Sequence, residues 1–188
     1  MNKFKNYIFD WSGTLVDDLG PVLDSTNRVF NYYGKDSFTR DEFCSEFCLP
    51  FKNFYDKFLP EVPMSELELL YTKFFNQSDE NVFLLPGAKE ILCECRNLGF
   101  KTYLLSSIKK QHFENQSAEL GLSDFFDFAY TEALDKRDWI TMLLKDNNIS
   151  HEETLFIGDM QHDIAVSYTH LRAHETRHDL VCRLLLEK

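Results

Sequence analysis

Four short apolar runs punctuate the chain, at residues 4–10, 101–105, 128–130 and 154–157, and most end abruptly in a small or acidic residue. Continuous apolar runs of this length are the pattern of strands buried on both faces of a parallel sheet. Between the first two runs the periodicity changes. Val22, Leu23, Thr26, Val29, Phe30 and Tyr33 keep helical spacing, which predicts a helix that opens at Gly20-Pro21 and stops at Gly34. Thr39 with Glu42 has the form of a capping box for a second helix. Phe51, Phe54, Tyr55 and Phe58 predict a third before Pro60, and Ser65 with Glu68 repeats the capping pattern ahead of a fourth along Leu67, Leu69, Leu70 and Phe74. No strand pattern occurs between residues 20 and 80. Helical stretches at 88–98, 109–120 and 136–145 then alternate with the remaining strands. The predicted fold class is α/β, a doubly wound parallel sheet joined by right-handed crossovers, with an inserted α-helical segment.

Such sheets bind ligands just beyond the carboxyl ends of their strands, and the chemistry-bearing residues fall there. The first strand runs into Asp10-Trp11-Ser12-Gly13-Thr14, the second into Ser106-Ser107, and the last into Gly158-Asp159, with Asp163 shortly after. Lys136 opens the helix between the third and last strands. Gly13 allows the backbone to turn tightly around whatever Asp10 holds. Each piece also has a plain explanation: Asp10 as a solvated turn, Lys136 as surface charge, Asp163 as an exposed helix residue. Lys109 and Lys110 compete with Lys136, although their place after Ser107 suits a solvated helix start.

Taken together and in order, these residues resemble the four motifs of the haloacid dehalogenase superfamily: an Asp nucleophile, a Ser/Thr, a Lys and an acidic metal-binding pair. The resemblance runs from about Tyr7 to Ala165. It implies a core of residues 1–18 and 84–165 and a type 1 helical cap at 19–83, as in phosphoglycolate phosphatases. It also implies catalytic roles for Asp10, Ser12, Ser106 and Lys136, and phosphate binding by Gly13, Ser106, Ser107 and Lys136. Mg²⁺ is the implied cofactor, with Asp10, the Ser12 carbonyl, Asp159 and Asp163 as its ligands. On this basis the chain is expected to be a phosphatase for a small phosphorylated metabolite, working through an aspartyl-phosphate. It is also expected that Asp10→Asn would abolish turnover and leave the fold intact.

One departure stands out. Most phosphatases of the superfamily carry a second Asp two residues after the nucleophile, and here that position is Ser12. A hydroxyl is a poor general acid or base at neutral pH. Phosphonoacetaldehyde hydrolases and haloacid dehalogenases also lack that Asp, so carbon–phosphorus cleavage stays open, with Lys35, Lys52 and Lys57 as Schiff-base candidates. Non-catalytic phosphate binding stays open too. Carbon–halogen cleavage fits less well with Asp159 and Asp163, since that chemistry needs no metal.

Composition narrows the partners. The 188 residues carry a net charge of −11, which argues against a nucleic-acid backbone as ligand. No apolar run reaches the roughly 20 residues of a membrane span, and the N-terminus has no signal-peptide pattern. Cys44, Cys48, Cys93, Cys95 and Cys182 form an odd set, and Cys93 and Cys95 point apart on a helical pattern. Reduced thiols in a cytoplasmic protein are the expectation. Residues 166–188 change character: Val166 to Thr176 and Asp179 to Lys188 resemble one reading frame of a sequencing-library adapter. They are expected to be non-native and to form no strand, leaving a core that lacks its C-terminal strand.

Overall fold

Asn6–Phe9 forms β1, a strand buried at all four positions, the last three of them apolar. The computed structural model describes residues 4–48 and 50–159. β1 sits between β4 (Lys101–Leu105) and β6 (Thr154–Ile157), and β5 (Phe128–Tyr130) lies beyond β4. All three pairings are parallel, with Phe9 opposite both Leu104 and Ile157, and Leu105 opposite Tyr130. Ile8, Tyr103, Leu105 and Phe156 meet Ile140 and Leu143 of α7 (Lys136–Asp146) on one face of the sheet. Alternation sends Tyr7 to the other face, where its ring stacks 5.3 Å from that of Phe100. α5 (Ala88–Asn97) packs against β4, and α6 (Lys110–Glu119) follows β4 in the chain. The α/β parallel-sheet class read from the sequence is the one the structure has.

The hydrophobic pattern does not mark every boundary. β1 is shorter than residues 4–10. Two further strands, β2 (Val16–Asp17) and β3 (Phe83–Leu84), pair antiparallel in a two-residue ribbon. Two residues per strand are too few to show a period, so this ribbon left no legible signature.

Residues Asp18–Val82 pack as one compact unit, and the described residues before and after them as another. The first contains α1 (Leu19–Tyr32), α2 (Arg40–Glu46), α3 (Phe51–Phe58) and α4 (Met64–Phe75). Its core is aromatic: the Phe30 ring lies 4.8 Å from Phe38, 5.9 Å from Phe54 and 5.8 Å from Phe58. The Thr39–Glu42 capping box forms in both directions. That at Ser65–Glu68 does not, because Pro63 already supplies the extended cap geometry and its carbonyl accepts from Glu66 and Leu67. α1 starts one residue earlier than Gly20, so Pro21 is its third residue. The first amides of a helix have no partner within it, so proline is still tolerated there.

Among the described residues no helix is long and apolar enough to cross a membrane. The expectations for Asp163 and for residues 166–188 lie outside the described residues.

Phe54 is 2% exposed at the centre of the aromatic core. Phe54→Ala is expected to destabilise the helical unit by about 3–5 kcal/mol. Thr39→Ala removes only a cap and is expected to lose about 0.5–2 kcal/mol. Urea unfolding followed by circular dichroism checks both, and similar losses would contradict the packing described.

Candidate active site

Because β1 lies between β4 and β6, three segments leave the sheet side by side at its carboxyl edge. The register that sets Phe9 opposite Leu104 and Ile157 carries on to place Asp10 beside Leu105 and Gly158. Ser106 and Asp159 follow one residue later. The Asp10 amide donates to the Ile157 carbonyl at 2.9 Å, so the carboxylate starts from a fixed backbone.

Asp10 is 5% exposed, and both its carboxylate oxygens are engaged. Oδ1 accepts the Trp11 backbone N–H at 2.7 Å. Oδ2 lies 2.7 Å from Lys136 Nζ, whose side chain is 1% exposed. Lys136 is the first residue of α7, where the helix dipole disfavours a cation, so the nearby carboxylate has that cost to offset as well as burial. Asp135 caps this helix, its carboxylate accepting the Arg137 amide at 3.1 Å.

Ser106 is 2% exposed and held from both sides: its amide donates to the Tyr130 carbonyl at 2.9 Å, and its carbonyl accepts from Ala133 at 3.0 Å. The Ile108 amide donates to Ser106 Oγ at 3.4 Å, and the Ile108 carbonyl accepts from Glu132 at 2.9 Å. The loop that delivers Lys136 is thus laced to the one that carries Ser106. Ser107 beside it is half-buried.

The turn after Asp10 is wound around Trp11, whose carbonyl accepts from Thr14, Leu15 and Val16 at 3.3, 2.9 and 3.2 Å. Gly13 has φ +74°, and a Cβ there would stand 2.7 Å from Asp159 Cγ, nearer still to Oδ2. Glycine is therefore required twice over, by conformation and by the approach of Asp159. Thr14 Oγ1 donates to Asp159 Oδ1 at 3.4 Å. Ser12 is half-buried in the same turn.

Among the described residues no three His, Cys, Asp or Glu side chains cluster. The candidate cation ligands among them are the Asp10 and Asp159 carboxylates and the Ser12 carbonyl. This all-oxygen set suits a hard cation such as Mg²⁺. Lys110 is exposed and pairs with Glu114 at 3.8 Å, while Lys109 is the N-cap residue of α6. Lys35, Lys52 and Lys57 are exposed, with Lys52 paired to Asp56 and Lys57 to Glu46. A Schiff-base lysine needs a desolvated amine, and these side chains are exposed.

The hydrophobic pattern gave no reason to single out Trp11, Thr14 or Gln116. Trp11 is fully buried, and its indole N–H donates to Gln116 Oε1 at 2.6 Å. A polar residue on the buried stripe of α6 was the available signal.

Comparison with known proteins agrees with this geometry. The haloacid dehalogenase-like hydrolase family matches residues 7–169. The pyrophosphatase PpaX of Bacillus cereus (strain Q1) is 26% identical over 172 residues, 86% of this chain and 77% of the relative. The structure of a haloacid dehalogenase-like family hydrolase from Streptococcus pneumoniae superposes with a TM-score of 0.80 at 20% identity, covering 90% of this chain and 82% of that one. A predicted phosphoglycolate phosphatase from Haemophilus somnus 129PT gives 0.79 at 16% identity, covering 90% and 83%. With the strand-end aspartate, the serine after β4 and the helix-start lysine in place and the family match spanning most of its length, the chain belongs to the haloacid dehalogenase-like hydrolases.

Proposed function

We propose that the protein is a Mg²⁺-dependent phosphohydrolase that cleaves a small phosphomonoester through an aspartyl-phosphate on Asp10, in the manner of phosphoglycolate phosphatases. The observation that carries this reading is the buried Asp10–Lys136 pair, flanked by Ser106 and Asp159 at one sheet edge. The Asp10 carboxylate attacks phosphorus, the ester P–O bond breaks, and the leaving oxygen takes the bonding electrons. Water then attacks the same phosphorus, releasing inorganic phosphate and restoring the carboxylate. Splitting one displacement into two is the advantage of a carboxylate nucleophile.

Lys136 is the preorganised cation: already desolvated beside Asp10, it neutralises charge that builds on the transferring group. Ser106 Oγ, and Ser107 beside it, donate to phosphoryl oxygens, and the Gly13 backbone is the further phosphate-binding element. Asp10, the Ser12 carbonyl, Asp159 and Asp163 are the residues that would hold Mg²⁺. When bound, the ion offsets the repulsion between these carboxylates and a phosphate dianion. Residues 18–82 serve as the cap, and the expected setting is cytoplasmic. The name of the Bacillus cereus relative adds pyrophosphate to the substrates to be assayed.

Asp10→Asn is expected to lower turnover by at least about a thousandfold. The sequence alone led to the expectation of an intact fold, but the structure makes Asp10 the buried counter-charge of Lys136, so the variant should also unfold at a lower temperature. An Asp10→Asn protein with wild-type turnover removes Asp10 from the mechanism.

Lys136→Met strands a buried carboxylate. It is expected to lose about 3–5 kcal/mol of stability together with most activity, read by urea unfolding and a phosphatase assay. A wild-type unfolding midpoint would show that the pair does not hold in solution.

Chelation by EDTA should stop phosphate release, with Mg²⁺ restoring it. For Ser12→Asp, general acid–base help is worth about 10²–10⁴-fold. An introduced carboxyl should raise turnover of alkyl phosphates more than that of nitrophenyl phosphate, whose leaving group needs little protonation. Equal losses on both substrates would argue against the proposed chemistry.

A further inference from the structure

The bond between Trp11 and Gln116 joins the turn that follows Asp10 to a helix that carries none of the proposed catalytic groups. Trp11 is fully buried, its ring 4.9 Å edge-on from Phe113 and 6.3 Å from Phe126. Its indole N–H donates to Gln116 Oε1 at 2.6 Å. Its backbone N–H donates to Asp10 Oδ1 at 2.7 Å, and its carbonyl gathers three amides of the turn. One residue therefore orients the carboxylate with its main chain while its side chain is anchored from α6. Gln116 is 5% exposed, and its own Nε2 has no hydrogen-bond partner among the described residues. As packing material this carboxamide is a poor choice, since an apolar side chain of similar size would leave no buried amide donor unmet. What the glutamine supplies, and a methionine would not, is an acceptor aimed at the indole.

We propose that Gln116 is a positioning residue for the nucleophile: by fixing the Trp11 indole it holds the Trp11 amide on Asp10 Oδ1 and aims the carboxylate along its line of attack. This rests on the reading of Asp10 as nucleophile. Small displacements of a reacting group cost up to about a hundredfold in rate, so anchoring the residue after Asp10 has a kinetic effect out of proportion to one hydrogen bond. Gln116→Met exchanges one unmet buried donor, Nε2, for another, the indole N–H, so the two proteins should be similar in stability and different in rate.

The test combines kinetics, stability and NMR on the full chain, with nitrophenyl phosphate and Mg²⁺ as the assay. Gln116→Met is expected to lower kcat by about tenfold to a hundredfold, to change KM less than about twofold, and to keep Tm within about 3 °C. The backbone amide resonance of Trp11 should move upfield as its bond to Asp10 lengthens. Trp11→Phe keeps an aromatic ring but has no indole donor, and it provides the second variant. In that background Gln116→Met should cost no further kcat, because the two residues act as one unit. An unchanged kcat in Gln116→Met, a loss of kcat with the Trp11 amide unmoved, or additive losses in the double variant would each overturn the positioning role. Asp10→Asn measured alongside separates this from the functional reading. If Asp10→Asn retains turnover, the nucleophile assignment and the proposal built on it fall together. If Asp10→Asn is inactive while Gln116→Met is as fast as wild type, only the positioning role falls.

Discussion

The contact on which the site depends is the ion pair between Asp10 and Lys136, both almost wholly withdrawn from water. Neither charge would be stable there alone. Taking either charge out of water is costly, and removing one partner of such a pair leaves the other uncompensated. Pairing thus sets the carboxylate proposed to attack phosphorus beside the cation proposed to neutralise charge on it. It does so before substrate arrives, so little reorganisation remains for the reaction itself. The same contact also fixes α7 relative to the central strand: if α7 moved away, two buried charges would be left without each other.

The sheet makes this pairing possible by bringing distant residues to one edge. A parallel arrangement has every strand leave in the same direction, so the residues that follow β1, β4 and β6 all arrive on one side. The backbone bonds between the Ser106 loop and the loop before α7 then add a lateral constraint across the sheet. The helical unit has an aromatic core of its own, centred on Phe30 and Phe54.

Much of this was legible in the sequence, and the reason differs from element to element. β1 could be read because burial on both faces favours successive apolar positions, here Tyr7, Ile8 and Phe9, and Asp10 could be read because it breaks that run. The Thr39 cap could be read because its partner Glu42 is local. Ser65 misled for a related reason: a local pattern was present, but Pro63 two residues earlier satisfied the same need first. The β2–β3 ribbon was silent because strands of two residues have no period. Gln116 was hidden for another reason again. Its partner is 105 residues away, and a polar side chain on a helix reads as solvent-facing until the fold shows what it touches.

The position of β1 has a consequence for how the chain is made. It is made long before both of its neighbours, and the bond between Lys5 and Glu153 spans 148 residues. Helical segments with nearby partners can settle early, while pairing across long separations must wait for the chain that closes it. During synthesis β1 therefore remains an apolar strand without a sheet until β4 emerges, and keeps one open side until β6 follows. Exposed strand edges in incomplete chains are where aggregation begins. Residues 18–82, emerging directly behind β1, have their own core and can fold first. From the end of the helical unit to β6, translation therefore proceeds with an unpaired edge on β1.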